Sequence, residues 1–171
     1  MMIEESVEVG RITAPRQESI VDHMAISEQV LVEHQVLAHI VSALRATIGW
    51  KYQGADLTRK IASLRFVGQS LQRHLKHLMG LEEEDGYMAV ILESRPELSE
   101  EIESLRREHG QFRKRLSRIL TRLRARQAAD PVSLGSISEN LTALLEKLDE
   151  HSHKETGLIQ HALLKEEGGE G

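Results

Sequence analysis

Apolar residues recur at intervals of three and four along most of the chain, and turn-forming residues interrupt the pattern at three places. The first run reads Val30, His34, Leu37, Val41, Leu44 and Ile48, with Ser27 as a cap ahead of it. A short connection from Trp50 to Asp56 follows. The second run reads Leu57, Ile61, Leu64, Val67, Leu71, His74, Leu78 and Leu81, loosens at Asp85-Gly86, and turns by Arg95-Pro96. Ser99-Glu100-Glu101 then offers a cap and an acidic first turn to a third run of Ile102, Leu105, His109, Phe112, Leu116, Ile119 and Leu123. Asp130-Pro131 and Gly135 mark the last loop, and Ser136-Ile137-Ser138-Glu139 has the spacing of a capping box. The fourth run reads Ile137, Leu141, Leu144, Leu148, His151, Glu155, Leu158 and Ala162. Four long amphipathic helices with brief connections predict an all-α protein, an up-down-up-down four-helix bundle. The bundle is expected over residues 16–165, with a flexible arm over 1–15 and a frayed tail over 166–171.

Composition narrows the function classes. Of 171 residues, 40% are apolar and 29% charged, in keeping with one helix-rich domain. The absence of cysteine excludes disulfides, thiolate metal sites and cysteine nucleophiles, so any metal must be held by nitrogen and oxygen. No apolar run reaches the length of a membrane span, and Met1-Met2-Ile3-Glu4-Glu5 lacks the features of a signal peptide, so a cytoplasmic location is expected. The net charge of −5 points to no partner. The third helix carries many cations, among them Arg113, Lys114, Arg115, Arg118 and Arg122, but without aromatic interleaving. A solvated face explains them better than nucleic acid does.

Chemistry enters through the histidines. His34, His74, His109 and His151 each replace an apolar residue on the stripe of a different helix, and Glu155 follows His151 by one turn on the same face. A single such histidine is usually a hydrogen-bonded core residue. Four of them with a carboxylate, buried without a common partner, would each cost roughly a few kcal/mol. Antiparallel helices place residues equidistant from a turn at equal height. Folding about residue 53 sets His34 near His74; folding about Arg95-Pro96 sets His109 opposite Glu82; folding about Asp130 sets His109 opposite His151. Imidazole with carboxylate suits iron, manganese or zinc, and bridging carboxylates suit a pair of iron ions. His23, His39, His153 and His161 fall off the stripes or near the ends and are read as structural or exposed.

These residues resemble the hemerythrin-like (HHE cation-binding) domains, four-helix bundles with a non-haem di-iron site, and the resemblance covers roughly residues 25 to 163. His34 matches the family's first-helix histidine, His109 its third-helix histidine, and His151-Ser152-His153-Lys154-Glu155 its fourth-helix His-x-x-x-Glu, in the bacterial pattern. The second helix departs from the family: Leu78 stands four residues before Glu82. His77 with a π-bulge near Gly80, or His74 from two turns away, could supply the imidazole, or the site is incomplete on this helix. Glu83 and Glu84 are further carboxylate candidates. Arg113 stands where animal hemerythrins have a second third-helix ligand. The resemblance implies metal ligands among His34, His74, His77, Glu82, His109, His151 and Glu155, holding two iron ions ahead of zinc or manganese. It further implies that dioxygen or nitric oxide is bound or sensed, with Leu37, Phe112 and Leu148 keeping water out. An enzymatic role is less expected than a binding one. The rivals are an iron storage or repair protein using the same ligands, and a metal-free helical regulatory module with an unidentified protein partner.

Overall fold

The computed structural model describes residues 15–53, 56–84, 86–125 and 130–163. These residues are helical, in the order α1 (Pro15–Gly49), α2 (Asp56–Glu83), α3 (Tyr87–Ser94), a 3-10 turn (Pro96–Leu98), α4 (Ser99–Arg124) and α5 (Pro131–Leu163). The long helices form an up-down-up-down four-helix bundle. Around it α1 packs on α2, α2 on α4, α4 on α5, and α5 on α1. The apolar stripes meet at the axis, where Leu44, Leu64, Leu71, Ile102, Leu123, Leu141 and Leu144 are fully buried. The expected arm and tail lie outside the described residues.

Two helix starts differ from the sequence expectation. Ser27 lies inside α1, which begins at Pro15, where the fixed φ of proline suits a first helical position and no later residue breaks the run. Likewise α5 begins at Pro131 and not at the Ser136 capping box, so Gly135 is helical. Asp130 is the cap there: its carboxylate accepts the Ser133 N–H at 2.9 Å, and its carbonyl accepts the Leu134 N–H at 2.9 Å. The earlier start buries Leu134. Ser99 opens α4 as expected, but as a helical residue without a side-chain cap.

The ends of the bundle are closed differently. At one end, cations of α2 satisfy terminal carbonyls. Lys60 Nζ donates to the carbonyls of Ile48 and Trp50, each at 2.7 Å, and Arg65 Nε donates to the Leu123 carbonyl at 2.7 Å. At the other end α3, which the periodicity did not announce, touches all four long helices. Tyr87, Met88 and Ile91 are buried beneath it. Tyr87-Met88-Ala89-Val90-Ile91-Leu92 is apolar throughout and too short for a helical period to show, although only Tyr87, Met88 and Ile91 of it are buried. Helix α3 is a plug.

Leu71 has no exposed surface, and truncating it leaves a cavity that close-packed neighbours fill only in part. Leu71→Ala is expected to cost about 2–5 kcal/mol in urea denaturation of the metal-free protein. A loss below about 1 kcal/mol would contradict this packing.

Candidate metal centre

Beneath the plug, five side chains from four helices converge. His34 comes from the middle of α1, Glu82 from the last turn of α2, His109 from α4, and His151 and Glu155 from successive turns of α5. All but His34 are buried; its side chain keeps 18% of its surface exposed and is the centre's most accessible member. Glu155 stands in the middle. Its Oε1 lies 3.4 Å from His109 Nε2 and 3.3 Å from His151 Nε2, while its Oε2 lies 3.6 Å from His34 Nε2. Glu82 spans the same gap, with Oε1 3.1 Å from His34 Nε2 and Oε2 3.5 Å from His109 Nε2.

Two triads result, His34–Glu82–Glu155 and His109–His151–Glu155, each with its donor atoms within 4.8 Å of one another. Donors bound to one ion at about 2.1 Å stand roughly 3.0 Å apart at right angles and roughly 3.4 Å apart in a tetrahedron. The imidazole contacts within the triads run from 2.8 to 3.6 Å, close to that range. The depth argument is met at His109, which contacts both Glu82 and His151.

The surroundings fix which nitrogen carries the proton. His109 Nδ1 donates to Glu83 Oε1 at 2.7 Å, and Arg113 holds the same oxygen at 3.1 Å. His151 Nδ1 donates to Glu108 Oε2 at 2.8 Å, and Lys154 holds that carboxylate through Oε1 at 2.5 Å. Carboxylates only accept, so both Nδ1 atoms carry hydrogen and both Nε2 atoms turn inward, where each can hold either a proton or a metal. Those two Nε2 atoms face each other at 2.8 Å. Glu82 Oε1, although close to His34, is out of line for a hydrogen bond and has no hydrogen-bond partner. Converging ring nitrogens and an orphaned buried carboxylate oxygen are what a cation would satisfy. Three imidazole nitrogens with two carboxylates fit iron, manganese or zinc.

Ionisation reflects the same crowding. Burial pushes the Glu82 carboxyl above the usual carboxylate range, the His34 contact opposes this, and the Glu155 charge adds to it. Burial would raise Glu155 too, but its contacts with His109 and His151 and the Tyr87 hydrogen bond hold it well below the usual range. Burial works against protonating His151, yet Glu155 and Glu108 outweigh it and raise the imidazole. His34 is raised in the same way by Glu82 and Glu155. Without a metal, protons supply the positive charge that Glu155 requires.

The second-helix histidines are held elsewhere. His74 Nε2 donates to the Glu33 carbonyl at 2.9 Å, and its Nδ1 lies 3.6 Å from Glu33 Oε2. His77 is exposed, with Nε2 3.4 Å from Glu33 Oε1. Neither joins the two triads. Helix α2 is regular α-helix through Glu83, with no π-bulge at Gly80, and Leu78 is buried one turn before Glu82. Of the acidic run, Glu83 orients His109 and Glu84 is exposed. His39 and His153 are exposed, their Nδ1 atoms donating to the carbonyls of Gln35 and Asp149, and His161 is also exposed. The His23 side chain lies outside the described set. Phe112 packs edge-on against the His151 ring at 5.1 Å, and Leu37 and Leu148 are buried.

Sequence reasoning missed Tyr87, whose hydroxyl donates to Glu155 Oε1 at 2.7 Å, and the orienting roles of Glu83 and Glu108. Glu108 sits beside His109 in sequence yet serves His151, a crossing that only the packed bundle reveals.

The hemerythrin HHE cation-binding domain family matches residues 25–163. The chain belongs to that family. It is therefore a cation-binding four-helix protein, with His and Glu groups placed to hold a metal. No curated protein and no solved structure gives a significant match. Among the described residues, no helix is long and apolar enough to cross a membrane.

The raised imidazoles make stability of the metal-free protein depend on pH. Their contribution is complete below the unfolded value of 6.5 and is lost as pH climbs through the higher folded values. Glu82, also raised, acts in the same sense from 4.5 upward, whereas the contribution of lowered Glu155 is retained throughout that range. The metal-free protein should thus melt at a higher temperature at about pH 6 than at about pH 8. A melting temperature that rises over this interval would contradict the assignment.

Proposed function

We propose that this hemerythrin-family protein holds two iron ions and binds or senses dioxygen or nitric oxide through them. The observation that supports this reading best is the place of Glu155, one carboxylate common to two donor triads with Glu82 parallel to it. One ion would be held by His109 and His151, the other by His34, with both carboxylates between them. Bound there, an iron pair supplies a two-electron redox couple and a coordination position open to a diatomic molecule.

The chain's own contribution is orientation and exclusion of water. Glu83 with Arg113, and Glu108 with Lys154, aim His109 and His151 inward. Such outer partners fix the ring and raise its basicity. Phe112 against His151, Tyr87 against Glu155, and the buried Leu37 and Leu148 would limit water at the centre except on the partly exposed His34 side. The His34 side has fewer donors, because Leu78 occupies the second-helix position where the family pattern has an imidazole. That half is therefore the more open and the more weakly held.

Protein purified with and without air should contain about two iron atoms per chain and show visible absorption that depends on oxygen. His151→Ala should lower the iron content to one atom or fewer. Less than one metal per chain and no spectral response to air would contradict the proposal; two ions without that response would favour storage. Leu78→His restores the family spacing to Glu82, since residues four apart share a helix face. It should slow loss of the second ion to a chelator, and an unchanged rate would contradict the placement of the weak half.

A further inference from the structure

The Tyr87 hydroxyl is buried under the plug, and at 2.7 Å its hydrogen bond is the shortest contact that Glu155 makes. It reaches Oε1, the oxygen facing His109 and His151, and leaves Oε2 to the His34 side. Delivery of this phenol depends on an unusually close turn. Between α2 and α3 the chain doubles back so tightly that a Cβ on Gly86 would overlap the Leu81 carbonyl and lie 2.8 Å from Glu82 Cα. Only glycine fits there, and it sets Tyr87 one residue later against the centre. One turn thus links the ligand-bearing end of α2 to the donor on the shared carboxylate.

We propose that Tyr87 is the positioning residue of the centre: its neutral hydroxyl pins Glu155 so that Oε1 serves the His109–His151 half and Oε2 serves the His34 half. This rests on the two-ion reading above. A glutamate carboxylate can rotate, and beside the His109, His151 and His34 contacts of 3.3–3.6 Å the hydroxyl bond of 2.7 Å is the shortest interaction that fixes its orientation. Tyr87 does so without carrying charge into the site. It stays a donor to Glu155 and is not itself a ligand.

Cobalt(II) titration of metal-free protein, followed by its visible d–d bands, tests the proposal. His151→Ala identifies the binding step that belongs to the His109–His151 half. Tyr87→Phe keeps the ring and removes one oxygen, so helicity without metal should match the wild type, while the melting temperature falls by the few degrees that one lost buried hydrogen bond costs. The affinity of the His109–His151 step should fall 10- to 100-fold, the range seen when an outer partner of a ligand is removed. The His34 step should change less. Unchanged affinities in Tyr87→Phe overturn the proposal. So does an equal loss at both steps, which assigns the phenol to general support of the centre. A visible charge-transfer band in the ferric wild type that vanishes in Tyr87→Phe also overturns it, by making Tyr87 a ligand. Wild-type protein that takes up no cobalt defeats the two-ion reading and this inference together; uptake that is blind to Tyr87→Phe defeats this inference alone.

Discussion

Two carboxylates buried at the dry end of a helical bundle set the terms for everything around them. A buried, unpaired carboxylate costs several kcal/mol, and two of them near each other cost more. Glu82 and Glu155 are both almost fully enclosed, yet among the described residues no lysine or arginine contacts them. Their neighbours are imidazoles, which can bind either protons or metal. The cluster therefore demands positive charge without fixing its source. Metal-free, it must take up protons; with cations bound, the same groups become ligands.

The arrangement also explains where permanent cations are found. Arg113 and Lys154 stand one layer out, on Glu83 and Glu108, and these carboxylates orient His109 and His151. Arg113 occupies the position at which animal hemerythrins have a further ligand, so here a charge on the rim substitutes for a donor at the centre. The centre is thereby asymmetric. One side has two oriented imidazoles and the Tyr87 donor, and the other has the partly exposed His34 as its one imidazole. With two ions bound as proposed, such unequal sides would suit chemistry in which one ion stays filled while the other exchanges a ligand.

Much of this was legible in the sequence because helical periodicity maps stripe positions onto the bundle axis. His34, His109, His151 and Glu155 lie on that axis for the same reason that Leu44, Leu116 and Leu144 do, and the bundle followed from the same pattern. His74 showed where periodicity stops. It lies on the stripe, but Glu33, which no stripe predicted to be its partner, accepts from Nε2 through its carbonyl and holds its carboxylate 3.6 Å from Nδ1. The start of α5 was misplaced because Ser136 and Asp130 are equally good caps by type, and burial of Leu134 decided between them. Tyr87 was invisible for a different reason. Its role depends on a chain reversal at Gly86 and on contacts with four helices at once, and no local spacing encodes those.

The central claim is that Glu155 is shared by two ions. Anomalous X-ray diffraction at the iron absorption edge, on crystals grown from iron-loaded protein, tests it most directly. The account predicts two peaks about 3.5–4 Å apart, one between His109 and His151 and one beside His34, with Glu155 between them. A single peak, or two peaks that do not share Glu155, would contradict it.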